Sequence, residues 1–358
     1  MSSEPFGLAS GQTTISIPRT AEAITPSWLT EVLRREADFA TCTVTSVTPQ
    51  VAPKWHIAET ALLKVEYEEG ASSALPAHLF TKINHVVDTY ADSFPGEQVF
   101  YRDLRTEELP LARCFAALSD DETGATCILL EDLSRTHMAS RWPLPPTLDM
   151  CRRAVEAIAI VHAHWWGAPS QQLAQREDKL AAHLLDMLPG FFDRLGDRLP
   201  TERRALLTTA CARIAGLKRA RFESGKPVSR IHGDAHFWNV LYPRNPETHA
   251  CILIDWEDWR IDTVASDLAM MIALHWYPDR RERFEETLLR NYWDMLNGAV
   301  ETSLTWDDFM LDYRIGHIWN AIVPIYQEQM ESSHGSWWGH LERWFMAFDD
   351  LGCRELIE

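Results

Sequence analysis

Two neighbouring stretches decide how this chain is interpreted: IHGDAHFWNVLY at Ile231–Tyr242 and ILIDWEDW at Ile252–Trp259. Asp234 and Asn239 stand five residues apart, just before the apolar segment NVLY, and Asp255 follows the apolar segment CILI. Carboxylate and amide oxygens are the ligands that Mg²⁺ prefers, and a carboxylate can also accept the proton of a hydroxyl. We therefore expect Asn239 and Asp255 to offer oxygens to a metal ion and Asp234 to act as a base.

Each of these residues also has a structural interpretation. Asp234 can cap a turn, Asn239 can satisfy backbone groups and Asp255 can begin a loop, and singly each would more often be structural. Their joint spacing beside two short strands favours chemistry instead. The pair His232 and His236 could suggest zinc, but no cysteine or further histidine stands at zinc-ligand spacing nearby, which argues against that metal.

Composition limits the class of protein. A chain of 358 residues with 46% hydrophobic and 24% charged residues predicts two lobes of an ordinary soluble protein. The net charge of −18, from 52 acidic and 34 basic residues, repels phosphate backbones and anionic lipids, so we expect neither nucleic acid nor membrane as a partner. The seven scattered cysteines predict reduced thiols in the core. Because the sequence shows neither a leader peptide nor an apolar membrane span, we expect a cytoplasmic protein.

The first part of the chain predicts a small antiparallel sheet. After a short helix at Pro26–Ala37, capped by Thr25, three β-rich segments follow between Thr43 and Val87: VTSVTPQV, HIAETALLKVEY and HLFTKINHVV. A helix, EQVFYRDLRTEEL, begins at Glu97, and the apolar strand ATCILLEDL ends at Leu133.

From about Pro145 onward the sequence is mostly helical. Its one interruption is a predicted hairpin in which NVLY and CILI flank the turn-forming PRNPETH. We therefore predict an α+β fold with a small antiparallel β lobe over residues 1–132 and a larger, mainly helical lobe over residues 133–358.

The spacing D-x-x-x-x-N is that of a kinase catalytic loop, and the two stretches together resemble the aminoglycoside phosphotransferase and choline kinase family, above all its ecdysteroid-kinase-like branch. HGDAHFWN looks like the family's H-G-D-x-H-x-x-N, and IDWED looks like its metal-binding segment. The resemblance implies a protein-kinase-like fold, with Asp234 as catalytic base and with Asn239 and Asp255 holding Mg²⁺. SDLA at Ser266–Ala269 resembles the family's D-L-A helix start, so Asp267 would brace the catalytic loop, with His232 as a further supporting residue.

The resemblance also implies nucleotide contacts in the β-rich lobe. HLFTKI resembles the strand that carries the phosphate-binding lysine, and EQVFYRDL resembles the E-x-x-F-Y helix; Lys82 would contact the phosphates of ATP, and Glu97 would pair with it. LLEDL resembles the hinge, where backbone groups near Glu131 and Leu133 would meet the adenine. Lys64 is a competing candidate, but its strand lies one strand too early.

The activity implied is transfer of the γ-phosphate of ATP to a hydroxyl of a small-molecule acceptor, assisted by Mg²⁺. The alternative is a pseudokinase-like scaffold that binds a nucleotide or a partner without turnover. Its best support is the segment Val47–Ile57, which would cover the phosphates yet contains no glycine. The retained base, metal ligands and lysine–glutamate pair argue against it.

The acceptor is left open by the sequence. Aromatic and acidic residues together favour a cationic acceptor such as an aminoglycoside or amino-alcohol, whereas the aromatic residues would suit a hydrophobic alcohol equally well. The choice between ATP and GTP and the oligomeric state are also open. The last third of the chain holds these tryptophans and acids: Trp238, Trp256, Trp259, Trp276, Trp293, Trp306, Trp319, Trp337, Trp338, Trp344, Glu257, Asp258, Asp262, Glu328 and Glu331.

Overall fold

The structure is a computed structural model that describes residues 15–52, 58–85, 96–104, 106–120, 122–169, 173–330 and 335–358. The chain divides into two compact units. The first is drawn from Met1–Val87, Tyr101–Asp103 and Arg113–Asp132, and the second from Asp88–Phe100, Leu104–Ala112 and Leu133–Glu358.

The first α-helix of the first unit is α1 at Pro26–Leu33, after a short 3₁₀ turn at Ala21–Ala23. Its predicted cap is confirmed, because the Thr25 hydroxyl accepts a hydrogen bond from the Trp28 amide at 3.2 Å. The helix ends four residues earlier than predicted, and a short 3₁₀ turn at Ala37–Phe39 follows it. That turn buries Phe39 in the core of the unit.

An antiparallel sheet of five strands forms the body of the first unit, in the order β1-β2-β3-β5-β4. In strand β3, Leu79, Thr81 and Ile83 are buried, and the alternation turns Lys82 to the opposite face. The sequence missed β4, whose short apolar run shows no period of two. The strands are β1 (Val44–Val51), β2 (Glu59–Tyr67), β3 (His78–Asn84), β4 (Cys114–Ser119) and β5 (Thr126–Glu131).

Helix α2 (Glu97–Asp103) has Gly96 at its N-cap position and is shorter than predicted. Among the described residues of the second unit are five short strands in two small sheets, ordered β6-β8-β9 and β10-β7. The predicted hairpin is confirmed, since β8 pairs with β9 through Val240 opposite Leu253. The strands are β6 (His137–Ala139), β7 (Ser229–Ile231), β8 (Val240–Pro243), β9 (Ile252–Leu253) and β10 (Arg260–Asp262).

Helices make up the rest of the second unit and confirm the predicted α+β class. A π-helical turn at Ala269–Leu274 continues α6 through the core. All seven cysteines are buried. No helix in the described ranges is long and apolar enough to cross a membrane. The helices are α3 (Leu148–His164), α4 (Leu173–Leu195), α5 (Thr201–Glu223), α6 (Val264–Leu268), α7 (Pro278–Ala299), α8 (Trp306–Trp319), α9 (Ile322–Gln329), α10 (Ser336–Asp350) and α11 (Arg354–Ile357).

Candidate active site

The loop after β7 is held from beneath by one buried carboxylate. Asp267, on α6, accepts hydrogen bonds from the backbone amides of His232 at 2.7 Å and Gly233 at 2.9 Å. His162 of α3 lies 3.1 Å from the same carboxylate. Burial opposes the charged form, but these partners hold the pKa of Asp267 below its usual value. Asp267 therefore fixes the loop as a buried anion.

Gly233 lets this loop approach the IDWEDW segment closely. Its φ is +87°, and a Cβ atom built there would lie 2.0 Å from the carbonyl oxygen of Asp258. The Gly233 carbonyl also accepts a hydrogen bond from Arg260 at 3.1 Å. Both the backbone conformation and the lack of space require glycine at this position.

Asp234, the predicted base, is held by its own loop. The Asn239 side-chain amide donates to the Asp234 carbonyl at 3.0 Å and to Oδ2 at 3.2 Å. The Asn239 backbone amide donates to Nδ1 of His236 at 3.1 Å, so the neutral ring carries its proton on Nε2, which lies 3.6 Å from Oδ2 of Asp234. The carboxylate thus has a fixed direction while 37% of its side chain stays exposed.

The acidic surroundings of Asp234 disfavour its charged form. Burial and then the negative charge of Asp255 raise its pKa to about 7. Asp258 shares this feature: burial and the nearby charge of Asp234 raise its pKa to about 7 as well. The sequence interpretation placed Asp258 only among the acids of the acceptor region, because spacing alone does not show that the charges of two carboxyl groups act on each other.

Three carboxylates converge next to this loop. One oxygen each of Glu97, Asp255 and Glu257 lies within 4.8 Å of the others. Asp255 lies just after β9. Its φ is +68°, a strained conformation for a residue with a side chain. Mg²⁺ prefers hard oxygen ligands, so these three carboxylates fit the metal ion that the resemblance to the aminoglycoside phosphotransferase and choline kinase family implies. The sequence paired Asp255 with Asn239 and missed Glu257, although the motif I-D-W-E-D contains it.

Aromatic packing brings Glu97 to this position. The Trp256 ring stacks on Phe100 of α2 with centroids 4.0 Å apart, and the Trp256 amide donates to Glu97 Oε1 at 3.3 Å. The Trp259 indole donates to the Gly96 carbonyl at 3.0 Å. The start of α2 is therefore fixed to the IDWEDW segment, and Glu97, expected as a partner of Lys82, stands beside Asp255.

His232 connects the loop after β7 to the segment after β9. Its ring is buried, its Nε2 lies 2.9 Å from the Ile254 carbonyl, and the ring packs 4.5 Å from Trp256. Burial lowers its pKa, so the ring is neutral and serves to align the residues before Asp255 with the loop.

In the first unit, Lys82 of β3 is half-buried between Thr60 of β2 and Ile128 of β5. Its competitor Lys64 is 60% exposed and forms an ion pair with Glu66 at 2.7 Å.

The two hinge residues fall in different units. The carboxylate of Glu131 accepts a hydrogen bond from the Arg113 amide at 2.8 Å. In the second unit, the Leu133 carbonyl accepts one from His137 at 2.8 Å in the turn before β6. Residues 53–57 of the glycine-free segment lie outside the described part of the chain.

Comparison with known proteins shows the family of this chain. The model of the phosphotransferase enzyme family matches residues 68–299, more than half of the chain, and the protein therefore belongs to that family. No curated protein sequence matches the chain.

Several solved structures are similar to this chain at low sequence identity. Choline kinase LicA from Streptococcus pneumoniae is 13% identical, with 90% of this chain and 99% of that chain covered and a TM-score of 0.48. A choline/ethanolamine kinase family protein from Mesorhizobium loti is 13% identical, with coverage of 93% and 94% and a TM-score of 0.49. Aminoglycoside 2'-phosphotransferase-IIIa, solved as its GDP complex, is 12% identical, with coverage of 91% and 99% and a TM-score of 0.49.

Proposed function

We propose that this protein transfers the γ-phosphate of ATP to a hydroxyl group of a small molecule. The observation that carries the proposal is Asp234: a directed, partly exposed carboxylate, next to a cluster of acidic oxygens, in a member of the phosphotransferase enzyme family. A carboxylate held in one direction with part of its side chain open to solvent suits the removal of a hydroxyl proton.

The chemical step balances without a further reactant. Asp234 orients the acceptor hydroxyl, whose oxygen forms the new bond to the γ-phosphorus as the bond to the β–γ bridging oxygen breaks. ADP leaves, and the hydroxyl proton passes to the Asp234 carboxylate and then to solvent. The roles predicted for Lys82 at the phosphates and for Glu131 and Leu133 at the adenine belong to the same proposal, with residues 1–132 as the nucleotide-binding lobe and residues 133–358 as the catalytic and acceptor-binding lobe.

Mg²⁺ would be held by Asp255 and Asn239, as the sequence indicates, with Glu97 and Glu257 as the additional oxygens that lie closest to Asp255. When bound there, the ion would supply positive charge against the phosphate groups. The packing of Trp256 on Phe100 holds the carboxylate oxygens of Glu97, Asp255 and Glu257 close together.

The experiment that tests the proposal measures ADP release from Mg·ATP with a panel of small alcohols. Asp234→Asn keeps the side-chain shape and should lower turnover by a factor of at least about 100, since general base catalysis contributes roughly 10²–10⁴. Asp258→Asn is the matched control, because that carboxyl has a similarly raised pKa. We expect Asp258→Asn to stay within about tenfold of the unaltered protein.

Two results would overturn the assignment. If Asp258→Asn abolished turnover and Asp234→Asn did not, the base would be the wrong carboxylate. If the protein bound nucleotide equally well with and without Mg²⁺ and no alcohol increased ADP release, it would be a nucleotide-binding scaffold instead.

A further inference from the structure

Arg260 of β10 reaches the loop that carries Asp234. In the β10–β7 sheet Arg260 lies opposite Ile231, and its Nη1 donates to the carbonyl oxygen of Gly233 at 3.1 Å. The same nitrogen donates to the carbonyl oxygen of Asp258 at 3.2 Å. A single arginine, only 6% exposed, is therefore bonded both to the loop after β7 and to the IDWEDW segment.

The absence of a side chain at Gly233 leaves the space that Arg260 occupies. A Cβ atom at this position would lie 2.5 Å from Nη1 of Arg260, as well as 2.0 Å from the carbonyl oxygen of Asp258. These two atoms are the donor and one of the acceptors of the contact just described. Gly233 and Arg260 therefore belong to one close contact between the two segments.

Two opposite charges hold the peptide groups on either side of Gly233. The peptide group before its Cα donates the Gly233 N–H to Oδ1 of Asp267 at 2.9 Å, and the peptide group after it offers its carbonyl oxygen to Arg260. Glycine has the freest backbone of all residues, so these two contacts set its dihedral angles. The peptide group held by Arg260 is the one that leads directly into Asp234.

A buried carboxylate anchors the other side of the guanidinium group. Nε of Arg260 lies 3.4 Å from Oδ2 of Asp262, which also lies 2.6 Å from Nζ of Lys218. Because a guanidinium group donates in fixed directions from one plane, this anchor also decides where Nη1 points. Asp262, which the sequence offered for a cationic acceptor, is thus engaged in this contact, and Glu331, offered with it, lies outside the described residues.

We propose that Arg260 is a positioning residue that sets the direction of Asp234 relative to the segment carrying Asp255 and Glu257. This inference rests on the proposed function. Arg260 acts through the Gly233 carbonyl, and the proton transfer stays with Asp234. Since a misplacement of about 1 Å can cost a factor of about 10² in rate, losing the contact should lower kcat more than it weakens nucleotide binding.

The variant Arg260→Lys tests this role while keeping a positive charge beside Asp262. A single ammonium group cannot reproduce the planar fork that reaches Gly233, Asp258 and Asp262 together. With the alcohol of the panel that gives the highest ADP release, we expect kcat to fall about 10- to 100-fold and the Kd of Mg·ATP to stay within about threefold. If Arg260→Lys melts below the assay temperature, Arg260→Gln, which keeps a planar amide donor, is measured in its place.

Arg176→Lys is the matched control. Nη2 of Arg176 donates to the carbonyl oxygen of Ile261, the next residue of β10, at 2.9 Å, and its Nε donates to Glu177 at 2.9 Å. This arginine thus bonds to the same strand and to a carboxylate of the same buried ion network. Its contacts in the described chain do not reach Gly233, so kcat should change by less than about threefold.

A double variant separates positioning of the base from general support of the fold. If Arg260 acts through Asp234, Arg260→Lys should lower the residual rate of Asp234→Asn by less than about threefold, because the group that it directs is already disabled. A contribution that does not pass through Asp234 would multiply with the effect of Asp234→Asn instead.

Hydrogen exchange of the peptide that covers the loop after β7 measures the same contact without turnover. Arg260→Lys should speed the exchange of the loop amides at least about tenfold, and Arg176→Lys should leave it unchanged. Melting temperatures of both variants, taken alongside, show that the fold is retained.

The outcomes distinguish this inference from the proposed function. Unchanged loop exchange in Arg260→Lys, equal effects of Arg260→Lys and Arg176→Lys on kcat, or full multiplication with Asp234→Asn would overturn the positioning role alone. No ADP release with any alcohol, from a protein whose nucleotide binding does not depend on Mg²⁺, would overturn the kinase assignment. In that case the exchange measurement still decides whether Arg260 holds the loop.

Discussion

At the scale of single residues, the site depends on two backbone positions that ordinary side chains tolerate poorly. Gly233 and Asp255 both have positive φ, and they begin the two segments that carry the proposed base and metal ligands. Glycine takes this conformation without cost, whereas an aspartate held there is strained. The fold maintains this strain at Asp255, whose carboxylate oxygens must point toward the proposed metal ion.

Replacing Gly233 by alanine should therefore disable the loop. The added Cβ would meet the Asp258 carbonyl at 2.0 Å, so Gly233→Ala should lose thermal stability and nearly all ADP release. Gly216→Ala, in the middle of α5, has no atom within 4 Å of the new Cβ and should be neutral or stabilising by up to about 1 kcal/mol. Melting curves and turnover of both variants check this; a fully active Gly233→Ala would contradict the close approach.

The sequence could predict single residues of the site, but it could not predict which other residues lie next to them. Asp234 and Asn239 stand at a recognisable spacing, and the structure joins them by two hydrogen bonds. Glu97 lies well over a hundred residues before Asp255, and only the packing of α2 on the aromatic rings after β9 brings the two together. The raised pKa of Asp258 likewise follows from burial, which no spacing reveals.

At the scale of elements, a buried ion network connects α4, α5 and β10 behind the loop that carries Asp234. Lys218 lies 2.8 Å from Glu177 and 2.6 Å from Asp262, and all three side chains are at most 2% exposed. Arg260, which donates to the Gly233 carbonyl, lies 3.4 Å from Asp262. Short strands have little pairing of their own, so this network is what fixes β10 and hence the β10–β7 sheet beneath the loop.

Asp262→Asn should destabilise the protein by about 3 kcal/mol or more at pH 7, because it leaves buried positive charge poorly compensated. Burial opposes ionisation, yet Lys218 and Arg260 hold the pKa of Asp262 at about 2. A depressed folded-state pKa gives stability that is complete above about pH 4 and lost as the pH falls toward 2. The difference between variant and unaltered protein should therefore shrink over that interval.

Urea unfolding followed by tryptophan fluorescence at pH 7 and at pH 3 measures this difference. Asp178→Asn is the control, since its ion pair with Arg219 is solvent-exposed and should contribute less than about 1 kcal/mol. Equal midpoints for Asp262→Asn and Asp178→Asn at pH 7 would show that the network does not support the fold.

At the scale of the whole molecule, the net charge of −18 bears on the proposed nucleotide binding. A protein this acidic repels the polyphosphate of ATP over distances of roughly 10 Å, the Debye length at moderate salt. Binding then requires cations at the phosphates, and in the proposed site these would come from Mg²⁺ and Lys82. ATP should consequently stabilise the protein strongly only when Mg²⁺ is present.

This dependence can be measured as a shift in melting temperature. With Mg·ATP at a hundred times its Kd, linkage predicts about 2.7 kcal/mol of added stability, a shift of several degrees. In Asp255→Asn the shift caused by ATP should be the same with and without Mg²⁺, because a carboxylate at the point where Glu97 and Glu257 converge has been lost. Asp178→Asn should retain the full Mg²⁺-dependent shift. If Asp255→Asn retained it too, the metal would be held elsewhere, and the three converging carboxylates would have to be explained as part of the packing between α2 and the segment after β9.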